Sequence, residues 1–290
     1  MDRKKTLPAR TRRELLVFAA FTAVFLALFA FWYAQKQDGM ALVLCMFSPS
    51  ASVVLTRLVT GEGWKNLYLV PHLRGNLRRY AFAWFATPLI AYAGAVLFFV
   101  LFPAQFDPLG SVYARDLGVQ TLPEYAAQLA VMLPLAVLVN PWMGLLQCLG
   151  EEFAWRGYLL PKLCEKFSPL QAALLTGAVW GVWHAPFIAM GYNYGPGHPL
   201  AGVLAMIVFC TVLGCIQGWI FLRVRSVWPA ALLHASLNAL DLCAPSALFM
   251  SGAADPFVGP DLIGLVGGAG LLVTAVLCAV SLARSGKSRA

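Results

Sequence analysis

Charged residues are scarce in this chain, and their scarcity excludes a soluble domain. Only 12% of the 290 residues are charged, 60% are hydrophobic, and the mean hydropathy is +0.73. Soluble domains carry about 25% charged residues and roughly 45–50% apolar ones. Apolar stretches long enough to cross a bilayer recur along the whole sequence. The composition therefore predicts a polytopic membrane protein.

The sequence also lacks the local signatures of several common sites. Its seven cysteines form no CxxC pair, and an odd set within apolar stretches argues against a disulfide framework and a thiolate zinc site. It has no Walker A, GxGxxG, HExxH or EF-hand pattern. Nucleotide binding and the commoner zinc-protease motif are therefore unsupported.

Apolar runs and helix breakers instead predict eight membrane-spanning helices in one integral-membrane domain, residues 1–290. The predicted spans are 15–33, 40–59, 81–102, 126–148, 171–190, 200–221, 228–243 and 260–282. The predicted fold class is an all-α transmembrane helix bundle. An Asn140–Pro141 pair inside the fourth span predicts a kink.

The distribution of Lys and Arg predicts that both termini are cytoplasmic. Nineteen of the 21 basic residues fall in segments on the side of the N-terminus, leaving Lys36 and Arg115 on the other. This asymmetry follows the positive-inside rule, and an even number of spans requires the termini to share a side. The net charge of +8 is thus explained by membrane orientation, and no nucleic-acid partner is predicted. The protein is expected to lie within a lipid bilayer.

Three polar motifs interrupt the apolar pattern, all in the second half of the chain. The first is GEEFAWRGYLL, residues 150–160, in which Glu152 and Arg156 are four residues apart and can pair on one helical face. Glu151 lies about 100° round the helix axis from Glu152, so it faces elsewhere. A desolvated carboxylate with a free face is suited to activating water.

The other two motifs each place a histidine within an apolar helix. WGVWHAPF, residues 180–187, puts Trp180 and His184 four residues apart, and HASLN, residues 234–238, does the same for His234 and Asn238. A neutral imidazole accepts a proton or binds a metal, and an amide can stabilise an oxyanion.

Together these side chains fit two kinds of hydrolytic site. One uses a glutamate to activate water, and the other is a His₂Glu metal site with an open position. A proton-coupled transporter is an alternative, although its inverted repeats would place polar residues in both halves. A non-catalytic membrane scaffold is a second alternative.

The three motifs resemble those of the CAAX-protease-and-bacteriocin-processing family of intramembrane proteases. The family pattern EExxxR is matched by Glu151, Glu152 and Arg156, and HxxxN is matched by His234 and Asn238. The pattern FxxxH is matched by His184, with Trp180 in the place of phenylalanine. The resemblance covers residues 125–245, which we take as the catalytic core.

The resemblance implies an endopeptidase and a role for each of these residues. Glu151 would activate water with His184, while His234 and Asn238 would hold the oxyanion. Glu152 and Arg156 would brace the site. Members of the family are described both as metalloproteases and as glutamate-dependent proteases. In the metal version Glu151, His184 and His234 would bind zinc.

The resemblance also implies two classes of substrate. One is a protein with a prenylated CAAX C-terminus. The other, for a bacterial source, is a peptide or a membrane-protein segment, with the enzyme in the cell membrane.

Overall fold

A computed structural model describes residues 6–287, and within that range the chain contains helices, turns and loops but no strand. The α-helices are α1 (Ala9–Lys36), α2 (Gly39–Thr60), α3 (Leu77–Leu101), α4 (Val112–Leu117), α5 (Leu122–Leu138), α6 (Asn140–Ala154), α7 (Leu160–Leu163), α8 (Pro169–Ala189), α9 (Pro199–Val224), α10 (Trp228–Asn238), α11 (Pro245–Phe249) and α12 (Ala269–Lys287). A π-helical turn, Trp155–Leu159, joins α6 to α7, and short 3₁₀ segments cover Pro103–Gln105 and Ala239–Cys243. The predicted all-α fold is confirmed.

Seven helical stretches within residues 6–287 are long and apolar enough to cross a membrane. They are Ala9–Lys36, Gly39–Thr60, Leu77–Leu101, Leu122–Leu163, Pro169–Ala189, Pro199–Val224 and Trp228–Phe249. A shorter apolar helix, Ala269–Arg284, follows them. The protein is therefore a multi-pass integral membrane protein, as predicted. Its orientation remains a prediction, and Arg3, Lys4 and Lys5 of the basic N-terminus lie outside the described residues.

The predicted eighth span begins too early. Residues 260–268 form turns, and α12 begins only at Ala269. Their backbone packs too closely for ordinary side chains, since a Cβ on Gly267 would lie 2.2 Å from the carbonyl oxygen of Asp261. Hydropathy alone predicted a helix here, because glycine-rich turns of low charge score like an apolar helix.

The described chain divides into two compact units. The first runs to Arg79, then from Leu146 to Ala231, and again from Ala275 onward. The second comprises Tyr80–Leu145 and Leu232–Thr274. The first unit contains α1, α2, the π-helical turn, α7, α8 and α9, and the second contains α4, α5, α11 and most of α3 and α10.

Local sequence signals fix where α8 begins. Ser168 caps the helix by accepting a hydrogen bond from the backbone N–H of Gln171, whose side chain in turn accepts from the backbone N–H of Ser168. Pro169 occupies the first turn, where its missing N–H costs nothing. The cap starts the helix two residues before the predicted span.

Helices α8 and α9 pack closely in the first unit because glycines line the contact between them. Gly177 and Gly181 are four residues apart on α8, and Gly214 and Gly218 are four apart on α9. A Cβ on Gly177 would lie 2.6 Å from the carbonyl oxygen of Cys210, and one on Gly214 would lie 2.7 Å from the Cα of Gly177. Small residues at this spacing let helix backbones approach in membranes. The contact brings side chains of α9 next to those of α8.

The fourth apolar stretch, Leu122–Leu163, is a long helical segment with two interruptions. Helix α5 ends at Leu138 and α6 starts at Asn140, so the break lies where Asn140–Pro141 predicted a kink. The second interruption is the π-helical turn. It carries Arg156, whereas the two glutamates lie in the last turn of α6.

Candidate active site

The first polar motif lies at the junction of α6 and the π-helical turn, and it is almost completely buried. The exposed fraction is 1% for Glu151 and 0% for both Glu152 and Arg156. A π-helical turn inserts a residue into the helical repeat and occurs frequently at functional sites. The chain thus places two carboxylates and a guanidinium at a helix irregularity with almost no access to solvent.

Glu152 is neutralised by Arg156, as the four-residue spacing predicted. The Nη1 atom of Arg156 lies 2.8 Å from Oε1 of Glu152, and neither side chain is exposed. From α9, the Nε2 atom of Gln217 donates a second hydrogen bond to the same oxygen at 3.0 Å. Two donors on one oxygen hold this carboxylate in a fixed position, which suits a bracing role.

Glu151 has different partners, both of them indoles. Its Oε2 atom accepts a hydrogen bond of 2.6 Å from Nε1 of Trp180 on α8 and a longer one of 3.4 Å from Nε1 of Trp155 in the π-helical turn. Two adjacent carboxylates therefore differ in chemistry: an arginine neutralises one, and neutral donors orient the other. This confirms that they face different surroundings.

His184 follows Trp180 by one turn of α8, and its ring is half-buried. Its Nδ1 atom lies 2.9 Å from the carbonyl oxygen of Trp180 and 3.9 Å from Sγ of Cys210. Because a carbonyl oxygen only accepts hydrogen bonds, this contact favours the tautomer with the proton on Nδ1. The lone pair is then on Nε2, where it can accept a proton.

Trp180 connects the glutamate, the arginine and the histidine. Its indole N–H donates to Glu151, its ring lies 4.5 Å from Cζ of Arg156, and its carbonyl oxygen meets the ring of His184. Arg156 reaches this position because Gly214 leaves room; a Cβ there would lie 3.3 Å from its Nη2. One aromatic residue thus contacts three of the predicted site residues.

Some polar atoms around the ion pair have no hydrogen-bond partner among residues 6–287. These are Nε and Nη2 of Arg156 and Oε1 of Gln217, all buried. Unsatisfied buried polar atoms cost stability and are rare in proteins, so each calls for a reason. Active sites are places where proteins tolerate such a cost.

The third motif lies on α10, within the second unit. His234 is buried, with 4% of its surface exposed, and Asn238 is the half-buried last residue of the helix. Their four-residue separation places them on one helical face, as predicted. The first unit thus assembles Glu151, Glu152, Arg156 and His184, whereas His234 and Asn238 come together on α10.

Within residues 6–287, no group of three or more His, Cys, Asp or Glu side chains is arranged to hold a metal ion. In addition, Oε2 of Glu151 carries two N–H donors, which is the environment of a hydrogen-bonded carboxylate. The donor set does not fit zinc in this arrangement, so the set of Glu151, His184 and His234 stays a prediction.

Two residues outside the predicted set, Trp155 and Gln217, also contribute hydrogen bonds to the site. Trp155 follows Glu151 by four residues, a spacing that predicts contact on a helix, so its place in the site could be predicted from sequence. Gln217 is a polar residue in an apolar span, which from sequence alone could line a cavity or bridge helices. Its partner Glu152 lies 65 residues away, and the glycine contact of α8 and α9 brings the two together. Trp180, which stands in the place of the phenylalanine of the family pattern, also acts as a hydrogen-bond donor.

Comparison with known proteins supports the resemblance carried by the motifs. Residues 126–240 match the family model described as type II CAAX prenyl endopeptidase Rce1-like. The matched segment contains all six predicted site residues. The resemblance is thereby confirmed over this part of the chain.

A curated relative is also similar over part of its length. The chain is 38% identical over 98 residues to CAAX prenyl protease 2 of Methanococcus maripaludis. The match covers 32% of this chain and 36% of that relative, so the chain spans about a third of the length of the protein it matches.

Proposed function

We propose that this protein is an intramembrane endopeptidase in which Glu151 activates a water molecule for peptide-bond hydrolysis. The observation that carries the proposal is the buried carboxylate of Glu151, which indole N–H groups hold while Arg156 is bound to Glu152. A carboxylate that is fixed but not paired with the cation can accept a proton. The family match over residues 126–240 supports the same reaction class.

The proposed reaction needs one proton to move twice. Glu151 removes a proton from water, and the water oxygen forms a bond with the carbonyl carbon of the substrate. The C–N bond then breaks, and Glu151 returns the proton to the leaving nitrogen. His184 orients the water through Nε2.

The remaining site residues stabilise charge. His234 and Asn238 are proposed to donate hydrogen bonds to the oxyanion that forms on the carbonyl oxygen. The pair of Glu152 and Arg156 braces the end of α6, next to Glu151. Exclusion of bulk water strengthens each of these interactions, because the surrounding dielectric constant is low.

The proposed substrate is a protein that ends in a prenylated CAAX sequence. The name of the curated relative and the description of the matched family both refer to CAAX prenyl processing. A prenyl group partitions into the bilayer, so a multi-pass protein meets such a substrate within the membrane.

Zinc is the remaining part of the prediction that came from the family resemblance. In the metal version that the resemblance implies, Glu151, His184 and His234 would bind zinc, although these residues do not fit it as they are arranged here. One equivalent of zinc that survives washing and is lost in the His184→Ala/His234→Ala variant would support this. Full activity in zinc-free protein would contradict it.

Cleavage in liposomes tests the proposed function. Purified protein is mixed with a prenylated peptide ending in CAAX and with the same peptide lacking the prenyl group, and mass spectrometry identifies the bond cleaved. We expect cleavage of the prenylated peptide alone, with loss of activity in Glu151→Gln and His234→Ala. Equal cleavage of both peptides would contradict the proposed substrate, and activity in Glu151→Gln would contradict the proposed base.

A further inference from the structure

Trp180 departs from the family pattern, and its indole makes a hydrogen bond that the phenylalanine of the pattern could not make. The pattern FxxxH has phenylalanine at this position, which has no hydrogen-bond donor. Here the indole N–H of Trp180 donates to Oε2 of Glu151 at 2.6 Å, and both side chains are buried, at 2% and 1% exposed. The replacement therefore adds a donor where the carboxylate proposed as the base needs orientation.

We propose that Trp180 is a positioning residue that fixes Glu151 through its indole N–H. In this arrangement Oε2 is held by Trp180, and Oε1 is the oxygen that receives the proton from water. The inference rests on the proposed function and deepens it, since it names the group that orients the base.

The hydrogen bond from Trp180 is shorter than that from Trp155, so we expect Trp180 to contribute more to the orientation of Glu151. The hydrogen bond from Trp155 to the same oxygen is 3.4 Å long, against 2.6 Å for that from Trp180. Hydrogen bonds to an ionised group are strong, and they weaken at the long end of the distance range. Trp180 also sits on α8, which the cap at Ser168 and the glycine contact with α9 hold in place.

The position of Trp180 links the base to its neighbours. The indole ring lies over Arg156, with Cζ 4.5 Å from the ring centroid, and the backbone oxygen lies 2.9 Å from Nδ1 of His184. A change in the indole orientation would therefore alter the direction of the Glu151 carboxylate relative to the histidine. Misplacement of a reacting group by about 1 Å can reduce a rate about a hundredfold.

Trp183 offers a matched control on the same helix. It is 5% exposed, and its Nε1 has no hydrogen-bond partner among the described residues. Trp183→Phe therefore removes the same atoms as Trp180→Phe, but no hydrogen bond to a carboxylate. A comparison of the two variants separates the donated hydrogen bond from the loss of ring volume.

Steady-state kinetics on the prenylated peptide give the first test. We expect Trp180→Phe to lower kcat about 10- to 100-fold while KM changes less than about threefold, because the lost bond orients the base and does not bind substrate. Trp183→Phe should lower kcat less than about threefold. Equal effects of the two variants, or an effect of Trp180→Phe on KM alone, would overturn the inference.

A tryptophan analogue with sulfur in place of the indole N–H, introduced at position 180, provides a second test if Trp180→Phe folds poorly. It keeps the two fused rings and removes the donor. A kcat as low as that expected for Trp180→Phe supports the positioning role. A kcat equal to that of the wild type overturns it.

Spectroscopy separates failure of this inference from failure of the proposed function. In protein with ¹⁵N-labelled indoles, the resonance missing in Trp180→Phe identifies the N–H of Trp180. We expect that resonance to shift in Glu151→Gln, while the resonance missing in Trp183→Phe stays in place. If no peptide is cleaved, the proposed function fails, and the shift still decides whether Trp180 holds Glu151. An unshifted Trp180 resonance overturns the inference whatever the activity.

Discussion

Two ionic clusters in the first unit differ in how deeply their ion pairs are buried. The inner cluster contains Glu151, Glu152, Arg156 and Gln217, and it leaves nitrogens of Arg156 and an oxygen of Gln217 without partners among residues 6–287. The outer cluster contains Glu14, Glu62, Tyr158 and Lys162. There the Nζ of Lys162 lies 2.6 Å from Oε2 of Glu14 and 2.8 Å from Oε1 of Glu62, whose other oxygen accepts from the hydroxyl of Tyr158 at 2.9 Å.

The two clusters meet at the π-helical turn. Arg156 points into the inner cluster, and Tyr158, two residues later, points into the outer one, as expected for positions that do not share a helical face. Side chains of the outer ion pairs are 4–15% exposed, whereas those of Glu152 and Arg156 are not exposed at all. The outer cluster is therefore a network suited to stability, and the inner one accepts a cost in stability that fits a reaction site.

Replacement of one carboxylate in each cluster should give the largest difference in kcat between the two clusters. Glu151→Gln should lower kcat about 10³-fold, because the amide cannot take the proton from water. The matched replacement Glu62→Gln removes a charge from the outer cluster and should lower kcat less than about tenfold. Cleavage of the prenylated peptide measures both, with circular dichroism as the check on folding. Similar losses in the two variants would remove the functional distinction between the clusters.

Loss of the inner guanidinium should give the largest change in stability. Arg156→Met removes the guanidinium that neutralises the buried carboxylate of Glu152, so the free energy of unfolding should fall by about 3–5 kcal/mol. Chemical unfolding in detergent measures it.

The double variant Glu152→Gln/Arg156→Met is the control for that result. It also removes the negative charge of Glu152, so it should recover part of the lost free energy of unfolding. A double variant less stable than Arg156→Met would contradict the view that a buried carboxylate without its cation causes the loss.

The sequence predicted the inner cluster better than the outer one. Glu152 and Arg156 are four residues apart on one helix, so local spacing was enough to pair them. Lys162 and Glu14 are 148 residues apart, and only the packing of α1 against the rest of the first unit brings them together. Such contacts have no signal in one sequence.

The difference between local and long-range signals also explains which parts of the fold could be predicted from sequence. Apolar length predicted the helices of the membrane spans, since a bilayer requires about 20 apolar residues per helix. It failed at residues 260–268, where the glycines allow tight backbone turns, as at Gly267. It also gave no sign of the π-helical turn, Trp155–Leu159, which interrupts the fourth apolar stretch.

Loss of the central cation of the outer cluster should have a smaller effect than loss of Arg156. Lys162→Met leaves Glu14 and Glu62 without their shared partner. Arg10 still pairs with Glu14 at 2.8 Å, and Nη2 of Arg57 lies 3.7 Å from Oε1 of the partly exposed Glu62. We expect a loss of about 1–3 kcal/mol in unfolding free energy and a kcat within about fivefold of wild type. Unfolding in detergent and peptide cleavage are measured on the same preparation. A hundredfold loss of kcat with unchanged stability would assign Lys162 to the reaction site.

The smallest effect should come from the hydroxyl that joins the π-helical turn to the outer cluster. Tyr158→Phe removes one hydrogen bond to Glu62 and keeps the ring, which packs on Phe18 with centroids 5.3 Å apart. Because the side chain of Glu62 is 15% exposed, water can replace the lost donor, and we expect a loss of about 1 kcal/mol in unfolding free energy.

Tyr33→Phe is the control for this last change, since the ring of Tyr33 packs on Phe187 and its hydroxyl makes no hydrogen bond within the described residues. It should change the free energy of unfolding by less than about 0.5 kcal/mol. The kcat of both variants should stay near that of the wild type, because the outer cluster acts on stability. A kcat that falls tenfold in Tyr158→Phe alone, at unchanged stability, would mean that the outer cluster sets the position of Arg156 through the π-helical turn. The two clusters would then form one functional unit, and the distinction between them would be a matter of distance from the reacting atoms.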